Sequence, residues 1–250
     1  MATRTKVIIG VLIVGVLAIG GGLYLYLGDD EPPVASVDNA LGQSSDDGDA
    51  GADPTTTVDG AATSDGIEGT WTVDTATGEF DFESATGTFA GFRIQENLAG
   101  IGATEAVGRT GDVSGTMTIE GTTVTEASFE VDLSTITSND DRRNDRIQQA
   151  LETGDFPTAT FVLTSPIDLG AGAADGDAVS VTATGDLTIH GTTKSVQFPL
   201  QAQLSGDRVA VAGSLDVNFA DYGVAVPQSQ IVVSVEDHGP IELQLLLTKS

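Results

Sequence analysis

From Gly69 to the C-terminus the chain repeats one pattern: short runs in which every second residue is apolar, separated by glycine, threonine and aspartate. Trp71 and Val73 alternate, then Phe80 and Phe82, Phe129 and Val131, Phe161 and Leu163. Val179, Val181, Leu187 and Ile189 share one parity, as do Phe198, Leu200, Ala202 and Leu204, then Val209, Val211, Leu215, Val217 and Phe219. Ile231, Val233 and Val235 follow, and Ile241, Leu243, Leu245 and Leu247 close the chain. Successive side chains of a strand point to opposite faces, so this alternation turns one face to a core and the other to water. Many such strands separated by turn signals predict an all-β antiparallel sandwich or barrel.

One interval breaks the rhythm. Ser138, Asn139, Asp140 and Asp141 read as a Ser-x-x-acid helix start, with the acids suited to the positive end of the helix dipole. Arg142 to Leu151 has no β-branched residue except Ile147, and Gly154 offers a stop. A single short helix is therefore expected between two blocks of strands, with Ile147 and Leu151 turned to the β-structure.

The charge is unevenly distributed. The 250 residues carry a formal net charge of -27, and there is no cysteine. The lack of cysteine excludes disulfides, zinc–thiolate and iron–sulfur sites, a cysteine nucleophile and a lipid-modified cysteine. The acidity excludes a nonspecific nucleic-acid binder, which needs a basic stripe against phosphates. Val7–Leu27 is 21 residues long without a charge, with Arg4 and Lys6 before it and Asp29, Asp30 and Glu31 after it. As a helix at about 1.5 Å per residue it is long enough for a bilayer core, and the flanking charges put everything after Gly28 outside the cell. A cleaved secretory signal is the rival reading; export is common to both. Residues 29–68 hold 11 acidic and no basic side chains, and no aromatic residue. Such a composition predicts a disordered, extended tether between a membrane anchor at 1–28 and a folded domain at 69–250. Asp46, Asp47, Gly48 and Asp49 lack the ligand spacing and closing glutamate of a calcium loop.

No motif of known chemistry is present. There is no GxSxG, Walker loop, HExxH or GxGxxG, and no cofactor is expected. His190 and His238 stand far apart without metal-ligand spacing, so no metal site is expected. Arg142, Arg143 and Arg146 form the only concentrated basic group of the domain. They either neutralise an acidic surface or clamp an anionic headgroup.

Four stretches in order carry a resemblance. They are Trp71-Thr72-Val73-Asp74 with Phe80 and Phe82; Ser134 to Ser138 followed by Asn144 to Ile147 and by Asp155 to Phe161; Gly185-Asp186-Leu187-Thr188-Ile189-His190-Gly191-Thr192-Thr193-Lys194-Ser195-Val196; and Phe219-Ala220-Asp221-Tyr222-Gly223-Val224. Together they resemble the YceI-like, polyisoprenoid-binding family over residues 69–249. Thr75 and Ala76 stand where the family often has His-Ser, and its Arg-Asp pair is spread over Arg142, Arg143, Asn144 and Asp145. The resemblance implies an extended lipocalin-like barrel of eight antiparallel strands, capped by a helix, with a long isoprenoid in its apolar interior.

The expected function is non-enzymatic: binding, sequestering or carrying an isoprenoid-type lipid outside the cell membrane. Candidate lining residues are the large members of the alternating sets: Phe80, Phe82, Phe129, Phe161, Leu187, Ile189, Phe198 and Phe219. His190 and Arg142 are candidates for the ligand's polar end. A barrel of this size either holds a small ligand or is filled by side chains, so a structural or interaction module of the envelope is the alternative reading.

Overall fold

The computed structural model describes residues 32–42, 66–78, 80, 86–100, 102–138, 141–225 and 232–250, without the side chains of Arg142 and Val232. The strands are β1 Gly69–Val73, β2 Phe89–Leu98, β3 Gly102–Thr110, β4 Val113–Glu120, β5 Thr123–Asp132, β6 Thr137–Ser138, β7 Thr158–Leu163, β8 Ile167–Asp168, β9 Val179–Ile189, β10 Thr192–Ser205, β11 Arg208–Asn218, β12 Val232–Val235 and β13 His238–Lys249. Helices α1, Val37–Ala40, and α2, Asp141–Ala150, complete the regular structure with three short 3-10 turns. The apolar run Val7–Leu27, the Asp46–Asp49 cluster and Phe82 lie outside the described residues. No described helix is long and apolar enough to cross a membrane.

Eight strands close on themselves, in the order β1-β4-β5-β7-β9-β10-β11-β13, with β13 returning to β1. All these pairings are antiparallel; the seam pairs Trp71 with Lys249 and Val73 with Leu247. Closure removes the edges that an open sheet would present for aggregation. The sequence alternation maps onto this ring directly. Leu243, Leu245 and Leu247 of β13 face the interior beside Gly213, Val211 and Val209 of β11.

A second piece extends the ring at one end. Only β13 residues 241–244 pair with β2, through Phe92 to Phe89, and β2 continues as a hairpin with β3. β12 pairs with the far end of β2, and β6 with β3. This β2–β3 arm was not anticipated. Its sequence, from Phe89 to Leu98, buries residues on both faces and so has no clean alternation.

Helix α2 forms where it was expected. Asn144 Oδ1 accepts from the Ser138 amide at 2.8 Å and its hydroxyl at 2.9 Å, tying α2 to β6. Ile147 and Leu151 are half-buried. The stop differs from expectation. Glu152, not Gly154, takes the left-handed conformation after the helix, at φ 47°, and its carbonyl accepts from the amides of Asp155 and Phe156.

The acidic stretch also differs from expectation, because residues 32–42 pack on the barrel. Ser36 caps α1 by accepting from the Asn39 amide at 3.0 Å, and Val37 and Ala40 bury against Ala210, Ala212 and Leu246 on the outer wall. An apolar pair three residues apart and a capping serine are sufficient for one turn once a tertiary surface supports it. The reading of 29–68 as a uniform tether is therefore corrected for these residues.

Candidate functional site: the barrel lumen

The interior has two unequal halves. At the β1 end, Trp71, Ile119, Val124, Val209, Leu245 and Leu247 are at most 3% exposed, and Trp71 Nε1 donates to the Ile67 carbonyl at 2.8 Å. That end is filled with side chains, apart from a cavity of about 30 Å³ bounded by Met117, Leu169, Val179 and Leu204. A cavity of this volume admits about one water.

Further along the lumen burial is less complete. Phe129, Phe161, Val181, Leu200, Leu215, Ile241 and Leu243 face inward yet are only half-buried. Small residues alternate with them on the inner wall: Gly115 faces Phe129, Gly185 faces Leu163, and Gly213 faces Leu200. A Cβ on Gly185 would stand 2.4 Å from the Phe161 ring, and one on Gly213 2.3 Å from the Pro199 carbonyl. Glycine at these two positions lets large inward neighbours lie along the wall instead of across the space.

The end opposite β1 carries the polar groups. The inward parity of β2 runs Phe92, Ile94, Glu96, and Glu96 ends at the rim facing Thr104 of β3. Thr104 Oγ1 donates to Glu96 at 3.3 Å, and Arg143 of α2 pairs with the same carboxylate. Gln148 of α2 donates to the Leu133 and Ile136 carbonyls at 3.2 and 3.3 Å, which seats the helix over this rim. The interior is thus apolar and filled at the β1 end, with an ion pair at the other.

Most of the anticipated residues meet there. Leu187, Ile189, Phe161 and Phe219 share one cluster with the buried Tyr222, and Phe198 meets Phe161 edge-on at 6.4 Å. Phe129 pairs with Phe161 on the same face. Phe80 does not join them. It lies in irregular chain, 6.4 Å from the ring of Phe89, a residue on the outer side of the wall. His190 lies in a turn at the end opposite β1: with Gly191 it forms the β9–β10 turn, at φ 50° and 69°, as a two-residue turn between twisted strands requires. Its ring packs on Phe156 at 4.4 Å, with Nε2 3.3 Å from Glu152. The Arg142 side chain lies outside the description, and Arg143 is the arginine at the rim. Phe92, Ile94 and Glu96 went unread in the sequence because β2 itself did.

These observations bear on ancestry. The YceI-like domain profile matches residues 71–247. The chain belongs to the YceI-like family. Curated relatives include a UPF0312 protein of Shewanella denitrificans, 29% identical over 141 residues, covering 52% of this chain and 70% of that protein. A UPF0312 protein of Shewanella sp. strain ANA-3 is 30% identical over 146 residues, 54% of this chain and 73% of the relative. Among solved structures, a polyisoprenoid binding domain from Saccharophagus degradans superposes with a TM-score of 0.53 at 21% identity, covering 72% of this chain and 98% of that one. BcnA of Burkholderia cenocepacia does so with a TM-score of 0.50 at 21% identity, covering 70% and 98%. At these identities the superpositions speak to the barrel fold alone.

Proposed function

We propose that this YceI-like domain holds a long-chain isoprenoid-type lipid tail-first in its lumen. The observation that carries this reading is the half-burial of inward-facing Phe129, Phe161, Val181, Leu200 and Leu243 inside a closed ring. Each methylene moved from water into such an apolar space is worth about 0.8 kcal/mol, so a long tail gains affinity without any directed bond. The tail runs toward the filled Trp71 end. The polar head stays at the rim beside Glu96, Thr104 and Arg143, which suits an amphiphile and not a plain hydrocarbon. The polyisoprenoid binding described for the Saccharophagus degradans domain is in keeping with this assignment.

The location of the chain is the second part of the proposal. Val7–Leu27 anchors it in the cytoplasmic membrane and places the barrel outside, following the flanking charges. Protease treatment of intact spheroplasts should then degrade the barrel. A barrel protected until lysis would overturn this placement.

Native mass spectrometry of the full chain, purified in detergent from a membrane-containing host, tests the ligand. A bound species removable by organic solvent is expected, along with saturable uptake of a fluorescent polyene fatty acid. A chain that arrives empty and takes up neither the polyene nor an added polyprenol would replace this reading with that of a structural module.

A further inference from the structure

Two arginines on the outer wall of the barrel are buried. Arg93 of β2 is 5% exposed and Arg109 of β3 is 0% exposed, although both lie on the face turned away from the lumen. Their shared partner, Glu242 of β13, also faces outward and is 4% exposed. Glu242 accepts from Arg93 Nε at 3.2 Å and from Arg109 Nε at 2.8 Å, and Arg93 pairs with Glu105 at 2.6 Å. Burial pushes the Arg109 guanidinium below its ordinary pKa, with Glu242 pulling the other way.

What covers them is the segment from Pro32 to Gly42. Arg93 donates to the Pro32 carbonyl at 2.5 Å and the Pro33 carbonyl at 3.0 Å, and Arg109 donates to Pro33 as well. In return the Ala35 amide donates to Glu242 at 3.3 Å and the Ser36 amide to Gln244 at 3.2 Å. The pattern is selective. Two arginines balanced by two glutamates have no net charge to offer an anion, but their remaining N–H groups suit bare carbonyls. Prolines fit here because they present carbonyls with a fixed φ, and Pro33 brings no N–H to oppose the guanidiniums. The segment lies outside the family match at 71–247.

Its position has a mechanical consequence. Arg93 and Arg109 alternate along the β2–β3 arm with Phe92, Ile94 and Gly108, which face the lumen. Beyond Phe92 the arm no longer pairs with β13 but with the short strand β12. The segment bridges this arm to the ring, holding Arg93 and Arg109 at one end and packing on Ala210, Ala212 and Leu246 at the other. We infer that the outer wall around Arg93, Arg109 and Glu242 is a docking site for the chain's own residues 32–42, and that docking keeps the arm closed on the lumen. The segment is a clasp: when it leaves, the arm opens and a lumenal ligand exchanges. The ligand half of this statement rests on the lipid-binding reading; the closure half does not.

The test uses the full chain in detergent. The variant Val37→Asp/Ala40→Asp puts two charges on the apolar face of the clasp and leaves every barrel residue in place. Hydrogen exchange should accelerate at least about tenfold in residues 93–109 while β9 and β10 keep their protection, since a local opening does not unfold the rest. A second chain, with residues 32–42 replaced by a Gly-Ser stretch of equal length, should behave alike. Dissociation of the fluorescent polyene should quicken by a similar factor. Unchanged exchange across 93–109 in both variants, with the clasp gone or itself exchanging freely, would overturn the inference. Should the arm accelerate while no probe binds any chain, closure stands and the lipid reading fails.

Discussion

Glu96 at the end of the inward face of β2 and Arg143 on α2 form an ion pair across the open end of the lumen. Their side chains are 8% and 19% exposed, so the pair is sheltered without being sealed. It joins two elements that the eight-strand ring does not itself hold together: the arm and the capping helix.

Arg143→Ala should therefore change exchange more than stability. Helix α2 keeps its ties through Asn144 to Ser138 and through Gln148 to the Leu133 and Ile136 carbonyls. Loss of a partly exposed pair costs about 1 kcal/mol or less. If that energy keeps the rim closed, it corresponds to about a fivefold faster release of the polyene probe in stopped flow. A variant with wild-type release, or one destabilised well beyond this in urea, would show that the pair does not act at the rim.

Glu242 is a different case because its surroundings are dry. Glu242→Ala leaves Arg93 and Arg109 facing each other on a wall sealed by Pro32 and Pro33. Removing one partner from a buried ionic cluster costs about 3–5 kcal/mol. Equilibrium urea denaturation should report that loss, or a smaller one if the clasp lifts and lets water reach the arginines. Exchange at residues 32–42 separates the two: protection is retained in the first case and lost in the second.

The ring was readable in the sequence because its strands have one dry face and one wet face. Val179 to Ile189 can place its apolar parity only inward, and Ile241 to Leu247 keeps the pattern because the residues covered on its outer face include the polar Glu242 and Gln244. That logic fails where both faces are covered. In β2, Phe89 and Arg93 are buried outside the wall while Phe92 and Ile94 line the inside, so polar and apolar residues no longer sort by parity. The clasp was hidden for a related reason. Its apolar residues are few and lie in acidic chain, and the arginines that hold it sit some sixty residues away, with Arg93 and Pro32 separated by 61 positions. Phe80 has the parity of a strand residue but forms none, and its ring goes to Phe89 outside. Lining and filling look identical in sequence; the glycines opposite Phe129, Leu163 and Leu200 distinguish them only once the register is known.

Asp74 gives the fold a predictable acid limb. A hydrogen bond from the Thr77 side chain holds its carboxyl below the usual 3.8, helped by the Ala76 and Thr77 amides and by Arg208, with burial opposing. A depressed pKa means that the unfolded chain takes up this proton first as pH falls. The contribution is therefore present above the ordinary carboxylate range and is lost as pH drops through 3.8 toward the folded value. Asp74→Asn should be less stable than wild type at neutral pH, and the two should converge in acid. Parallel stability curves from urea titrations across this range would remove Asp74 from the account.

The contrast between the two halves of the lumen can be measured directly. Val181 faces inward and is half-buried, opposite Leu200. Val209 faces inward at 3% exposure within the filled end. If a lipid tail passes position 181, Val181→Trp finds room there and urea denaturation should move by less than about 1 kcal/mol, while overpacking a dense core costs about 1–3 kcal/mol or more. Val209→Trp should suffer that larger loss. The same indole at 181 occupies the path of a lipid tail, and polyene affinity should fall at least about tenfold, roughly 1.4 kcal/mol. Equal destabilisation by the two substitutions would mean that position 181 is as densely packed as position 209, leaving no room for a tail.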